Sequence, residues 1–185
     1  RLRSMLRKEE SQHQALDLND VVEESLRLLR SDLLNRGVTL SAELAPALPA
    51  VSGDRNQLQQ VLINVLMNAC DAMDGQTTDR RLRVSTRLNA SGHVEIEVSD
   101  RGTGIAPAEL EHIFDPFVTG KAKGMGLGLA ICRSIVDAHG GRDDGPTGGD
   151  DGSDRGAQPK VRVRQQRHAP FAAPQGSDAG SRFAG

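Results

Sequence analysis

From Asp54 to Met73 the sequence reads as one helix with two unlike faces, and that stretch constrains the fold more than any other. At ~100° per residue, Leu58, Val61, Leu62, Val65, Leu66, Ala69 and Met73 fall on one broad arc. Gln57, Gln60, Asn64, Asn68 and Asp71 fall on the opposite arc. The apolar arc must lie against a sheet or other helices. The polar arc has two readings. Asn is a mediocre helix former, so its place there calls for a reason. Asn64 and Asn68, one turn apart, point the same way, and their amide oxygens could share a hard cation or bracket a phosphate chain. The plainer reading is a solvated face.

The flanking segments supply the partners. Asp17 or Asn19 caps an earlier helix whose Val22, Leu26, Leu29 and Leu33 form a single stripe, and Gly37 ends it. Val38, Leu40, Ala42 and Leu44 alternate with polar neighbours as in a strand, and Pro46 and Pro49 mark the loop after it. Leu82, Val84, Thr86 and Leu88, then Val94, Ile96 and Val98, alternate on either side of a predicted hairpin turn at Asn89–Gly92. A short helix is predicted over Ala108–Ile113, and a longer one over Leu127–Ala138, stopped by Gly140 and Gly141. With four Phe and neither Trp nor Tyr, the core must be built from Leu, Ile, Val and Ala. Cys70 and Cys132 sit in apolar helical contexts and read as small core residues in a reducing compartment rather than as metal or redox groups.

Three further segments carry chemistry. Asp100-Arg101-Gly102-Thr103-Gly104-Ile105 follows the Val94–Val98 strand. A carboxylate at a strand end with two glycines permits close backbone approach to a flat ligand, and Asp100 could accept from an exocyclic amine such as that of adenine. The alternative is an ordinary Asp-Gly turn. Gly124-Met125-Gly126-Leu127-Gly128-Leu129 opens the last helix, where backbone N–H groups and the positive dipole end face an anion. It lacks the Lys-Ser/Thr of a Walker loop and the preceding strand of a Rossmann turn. Between these lies Ile113-Phe114-Asp115-Pro116-Phe117, whose aromatic rings suit core packing, and then a small, polar, basic segment, Val118–Lys123. That segment suits a lid with Lys121 or Lys123 near phosphates.

In this order the segments resemble the GHKL ATP-binding superfamily, and within it the sensor histidine kinases. Leu58–Met73 resembles the family's Asn box, Asp100–Ile105 its first glycine box, Phe114–Phe117 its Phe box and Gly124–Leu129 its second glycine box. Ile131–Gly141 is similar to the helix that follows. Each box alone is modest in specificity; four in order over about Leu16–Gly141 are very specific. The pattern looks most like the short-lid kinases of the nitrogen-regulatory and oxygen-sensing type.

The resemblance implies an α/β two-layer sandwich, the Bergerat fold, with a mixed sheet, helices on one face, and ATP between helices and lid. Carried over residue by residue, Asn68 would bind Mg²⁺, with Asn64 supporting the phosphates or the metal, and Asp100 would read the adenine amine. Gly102 and Gly104 would let the base approach, and Gly124, Gly126 and Gly128 would shape the lid hinge and phosphate site. Asp71, Ile105, Lys121 and Leu127 complete the implied nucleotide-binding set. The implied reaction moves the γ-phosphoryl group of ATP to a histidine on a separate helical hairpin, with a homodimeric parent kinase and a downstream response regulator as partners. The implied location is cytoplasmic, on a parent that could carry a membrane anchor.

Two departures shape the expected organisation. Residues 1–15 resemble only the end of the phosphoacceptor hairpin and its linker, and none of His13, His93, His112, His139 or His168 has the acceptor's context. The fragment is therefore expected to be inactive alone. Residues 16–141 form the expected ATP-binding domain. From Arg142 to Gly185, Asp, Gly, Pro and Arg dominate, with Val161, Val163, Phe171 and Phe183 as the strongly apolar exceptions. Such a stretch is expected to be a disordered, aberrant tail, as a reading-frame shift would produce, and the sheet to lack its last strands.

Other classes are weighed against this. A net charge of -2 without a lysine block argues against nucleic acid or a membrane surface. The sequence has no apolar run near the ~18 residues of a membrane span, and no secretory signal pattern. A GHKL ATPase of the gyrase, mismatch-repair or chaperone kind would place a Glu on the Asn-box helix, where this chain has Asn64. An anti-sigma-type serine kinase shares the fold, and the helix tail at Arg1–Glu10 favours the histidine kinase over it. A truncated nucleotide-binding fragment without activity is the remaining alternative.

Overall fold

The computed structural model describes residues 13–76, 79–106, 109, 112–117, 126–140, 142–144 and 161–167. Strand β1 (Gln14–Leu16) leads into helix α1 (Leu18–Asn35), strand β2 (Thr39–Glu43), strand β3 (Val51–Gly53) and helix α2 (Arg55–Ala72). Strands β4 (Arg81–Leu88) and β5 (Val94–Asp100), helix α3 (Gly128–Ala138), and strands β6 (Arg142–Asp144) and β7 (Val161–Arg167) follow. β1 and β3 pair antiparallel as a small ribbon; the main sheet has the order β2-β4-β5-β7-β6. Only β4 and β5 run antiparallel in it, so the sheet is mixed, as expected.

The helix starts are local decisions. Asp17 caps α1 by accepting from the amide of Asn19 at 2.8 Å. Asn19 does something else: it donates to Ala45 O at 2.8 Å and accepts from the Thr86 hydroxyl at 2.8 Å, tying the start of α1 to β4. Asp54 caps α2 through the amides of Asn56 and Gln57. Gly37, at φ +63°, reverses the chain after α1 in the left-handed conformation that favours glycine. The β4–β5 turn closes at Asn89–Gly92, with Gly92 at φ +79°.

All seven residues of the predicted apolar arc of α2 are buried, together with Cys70. Leu82, Val84, Ile96 and Val98 meet them from the sheet, and α1 and α3 flank α2. Cys70 and Cys132 are buried thiols within the core, as small core residues. The other sheet face is polar: Arg83 pairs with Glu43 at 2.7 Å and Arg87 with the buried Glu95 at 2.7 Å. Helices therefore cover one face, which gives the two-layer sandwich expected. Among the described residues no helix is long and apolar enough to cross a membrane.

The expectation that the sheet lacks its last strands is overturned. β7 pairs parallel with β5 over Val94↔Val161 to Asp100↔Arg167, and β6 pairs with β7. Val163 is 1% exposed on the helix-covered side. Low apolar content did not prevent this, because a strand added to an existing edge gains a full ladder of backbone hydrogen bonds and needs few buried side chains. The Asp- and Gly-rich run 145–160 and residues 168–185 lie outside the described residues. The helix predicted at Ala108–Ile113 lies partly outside them; Glu109 and His112 belong to a turn, His112 N donating to Glu109 O at 3.0 Å.

Candidate nucleotide site

Asp100 ends β5 with 0% exposure. Its Oδ1 accepts from the amide of Gly102 at 2.8 Å, which helps to orient the carboxylate. Burying a carboxylate is costly without compensating contacts, so this placement is specific rather than incidental. The loop beyond it is docked on the end of α2. Thr103 N donates to Ala72 O at 3.1 Å, and the Gln76 amide donates to Arg101 O at 3.0 Å.

Gly102 packs against the end of α2. A Cβ there would lie 2.6 Å from Ala72 Cβ and 2.7 Å from Ala72 O, so its missing side chain admits helix α2. Gly104 stands at φ +75°, in the left-handed region that favours glycine, and a Cβ there would meet open space. Ile105 is half-buried beside it.

Asn64 and Asn68 are half-buried on α2, on the side away from the apolar arc. Asp71 Oδ1 lies 2.8 Å from Arg36 Nη1, which also meets Asp74 Oδ2 at 3.0 Å. Partial burial works against the Arg36 charge, but the Asp71 hydrogen bond and the Asp74 charge outweigh it and hold the guanidinium pKa above its ordinary value. The Cys70 thiol one residue away is pushed up to about 11 by burial, with Arg36 pulling the other way.

Helix α3 starts at Gly128 after Leu127, whose side chain makes no capping hydrogen bond. A Cβ on Gly128 would meet open space. Gly126, at φ +66°, accepts from the amide of Phe117 at 3.0 Å. Phe117 itself stands at φ +69° and is 75% exposed, so it is not the core residue its type suggested. Phe114 is half-buried, with Arg133 Cζ 5.7 Å from its ring centre. Lys121, Lys123 and Gly124 lie outside the described residues.

Sequence reasoning missed Arg36 and His139. His139 Nε2 accepts from Asp54 N at 2.9 Å and its Nδ1 donates to Ile135 O at 2.7 Å, locking the end of α3 to the start of α2. Its ring lies 4.8 Å from that of His13. The available signal was its spacing from the buried Cys132 and Val136 on the same helix.

The donor set suits a cation that relies on substrate oxygens. Among the described residues no group of three or more His, Cys, Asp or Glu could hold a metal by itself. Mg²⁺ characteristically takes one or two protein oxygens together with phosphates and waters, and the amide oxygens of Asn64 and Asn68 fit that use.

The profile of the family described as histidine kinase-, DNA gyrase B-, and HSP90-like ATPase matches residues 53–168, a span that reaches through β7. The chain is 36% identical over 140 residues to sensor histidine kinase ZraS of Klebsiella oxytoca, covering 76% of this chain and 30% of that protein. It is 39% identical over 142 residues to sensor protein FixL of Bradyrhizobium diazoefficiens, covering 77% of this chain and 28% of that protein. The chain thus spans under a third of the length of these relatives. Full-length ShkA in complex with AMPPNP superposes with a TM-score of 0.62 at 26% identity, over 71% of this chain and 27% of that one.

Proposed function

This chain belongs to the histidine kinase-, DNA gyrase B- and HSP90-like ATPase family, and from that premise we propose that it binds Mg-ATP and presents the γ-phosphoryl group to a histidine on a helical hairpin outside the chain. The observation that carries the reading is Asp100: a fully buried carboxylate at a strand end, aligned by one backbone amide beside a loop containing Gly104. An ionised carboxylate accepts several hydrogen bonds, and an exocyclic amine fits its geometry. That favours adenine over guanine, which offers a carbonyl at the matching position.

The remaining parts have positional roles. The start of α3 would receive phosphate oxygens, and Asn68, with Asn64, would hold Mg²⁺. The ion would supply charge neutralisation of the triphosphate. Phosphoryl transfer needs little else from a protein than positioning and charge stabilisation. Asn64 is no base, so water is poorly activated and hydrolysis by the chain is slow. In the parent protein the acceptor hairpin belongs to a homodimer, a response regulator takes the phosphoryl group onward, and the domain works in the cytoplasm. The likeness to sensor kinases such as ZraS and FixL supports this choice over the hydrolytic members of the family.

The test is calorimetry of the chain with Mg-ATP and Mg-GTP, followed by transfer of labelled γ-phosphate to an added phosphoacceptor hairpin. The expected result is preference for ATP and label on the hairpin histidine. Equal affinity for the two nucleotides, or brisk phosphate release abolished by Asn68→Ala, would overturn it.

A further inference from the structure

Arg36 closes α1, far in sequence from the Asp100 loop, yet a continuous set of contacts joins the two. Its guanidinium holds Asp71 at 2.8 Å and Asp74 at 3.0 Å, one residue before and two residues after Ala72. Its carbonyl accepts from Arg80 Nη1 at 2.6 Å, and Arg80 Nε donates to Gln76 O at 2.7 Å. The segment clamped in this way meets the Asp100 loop directly. Ala72 O accepts from Thr103 N at 3.1 Å, Ala72 fills the space left by Gly102, and the Gln76 side chain holds Arg101 O at 3.0 Å. Gly102 N in turn aligns the Asp100 carboxylate at 2.8 Å.

We infer that Arg36 is a positioning residue for nucleotide specificity, acting through the C-terminal end of α2 to hold the loop that orients Asp100. The inference rests on Asp100 reading the base. An ion pair this exposed adds little to global stability on its own. Its value here is directional: one cation gathers two carboxylates on either side of Ala72, so the turn after α2 has a single position on which the loop can dock. Without Arg36 the two neighbouring carboxylates repel, the turn loosens, and Gly102 and Thr103 lose a fixed partner. Asp100 stays buried, but its plane is no longer set to one angle. Adenine selectivity suffers before the fold does.

The experiment compares the full chain with Arg36→Ala, Arg36→Lys and, as a control, Arg83→Ala, which breaks a more exposed ion pair on the other face of the sheet. Two quantities are read: amide exchange at Gly102 and Thr103 without nucleotide, and the ratio of ATP to GTP affinity. Arg36→Ala is expected to speed exchange at both amides while β4 and β5 remain protected, and to cut the ATP preference by about two- to thirtyfold. Arg36→Lys should recover part of both, and Arg83→Ala should change neither. Unchanged Gly102 and Thr103 exchange in Arg36→Ala overturns the inference. So does a loss of affinity equal for ATP and GTP, or an equal effect of Arg83→Ala. A wild-type chain with no ATP preference sinks the base-reading role of Asp100 instead, and the amide exchange then still reports whether Arg36 holds the loop.

Discussion

A Cβ placed on Gly102 would lie 2.6 Å from Ala72 Cβ and 2.7 Å from the Ala72 carbonyl oxygen, so the loop that orients Asp100 touches helix α2 with no room to spare. The Ala72 side is backbone and a methyl group at a helix end, and neither can rotate away. Gly102→Ala should therefore push the loop off the helix and break the Thr103–Ala72 hydrogen bond. The expected cost is about 1–3 kcal/mol of stability, as for other overpacked sites, measured by chemical denaturation. A variant with wild-type stability and wild-type nucleotide affinity would contradict this contact.

Asp100→Asn keeps the size of the side chain and its bond from Gly102, but replaces one acceptor oxygen by a donor. Adenine nucleotides should bind about 1–3 kcal/mol more weakly, the cost of losing a charged acceptor at a buried amine. Calorimetry on the variant checks this, and GTP affinity should fall much less.

Cys70 links pH to stability with a definite sign. Burial raises its thiol from an ordinary 9.0 to about 11, so the unfolded chain loses this proton first as pH rises. Its contribution to stability should be complete below pH 9 and lost as pH climbs towards 11. Denaturation curves across that window should fall less steeply in Cys70→Ala. At pH 8 a thiol reagent should label the native chain slowly at Cys70, because little thiolate is present and the site is covered.

Val163 tests the far side of the sheet. It is 1% exposed on β7, so Val163→Ala removes buried methyl groups and should cost about 1–3 kcal/mol. Hydrogen exchange should show protection along β7 where it pairs with β5. A loss below about 0.5 kcal/mol, typical of exposed positions, together with unprotected β7 amides, would show that the strand does not hold in solution.

Much of the scaffold was legible because it is decided within a few residues. The period of Leu58 through Met73 fixes which side of α2 is buried whatever it packs on, and all seven positions are buried. Asp54 and Asp17 cap helices through amides two or three residues away. Asn89–Gly92 makes its turn from its own backbone, and Asp100 stands at a strand end because alternation stops there. The order of these segments was enough to recognise the family, since that order is itself a property of the sequence.

Contacts across long stretches of chain decided the rest. Arg36 reaches Asp71 across 35 residues and His139 reaches Asp54 across 85, and no local period records such a meeting. The same holds for Gly102, whose missing side chain admits Ala72, a contact no local pattern records. It holds too for β7: its composition described a chain with little to bury, while its place in the sheet came from the open edge of β5. Side-chain periodicity reports what a residue needs from its surroundings; only the tertiary fold decides which distant residue supplies it.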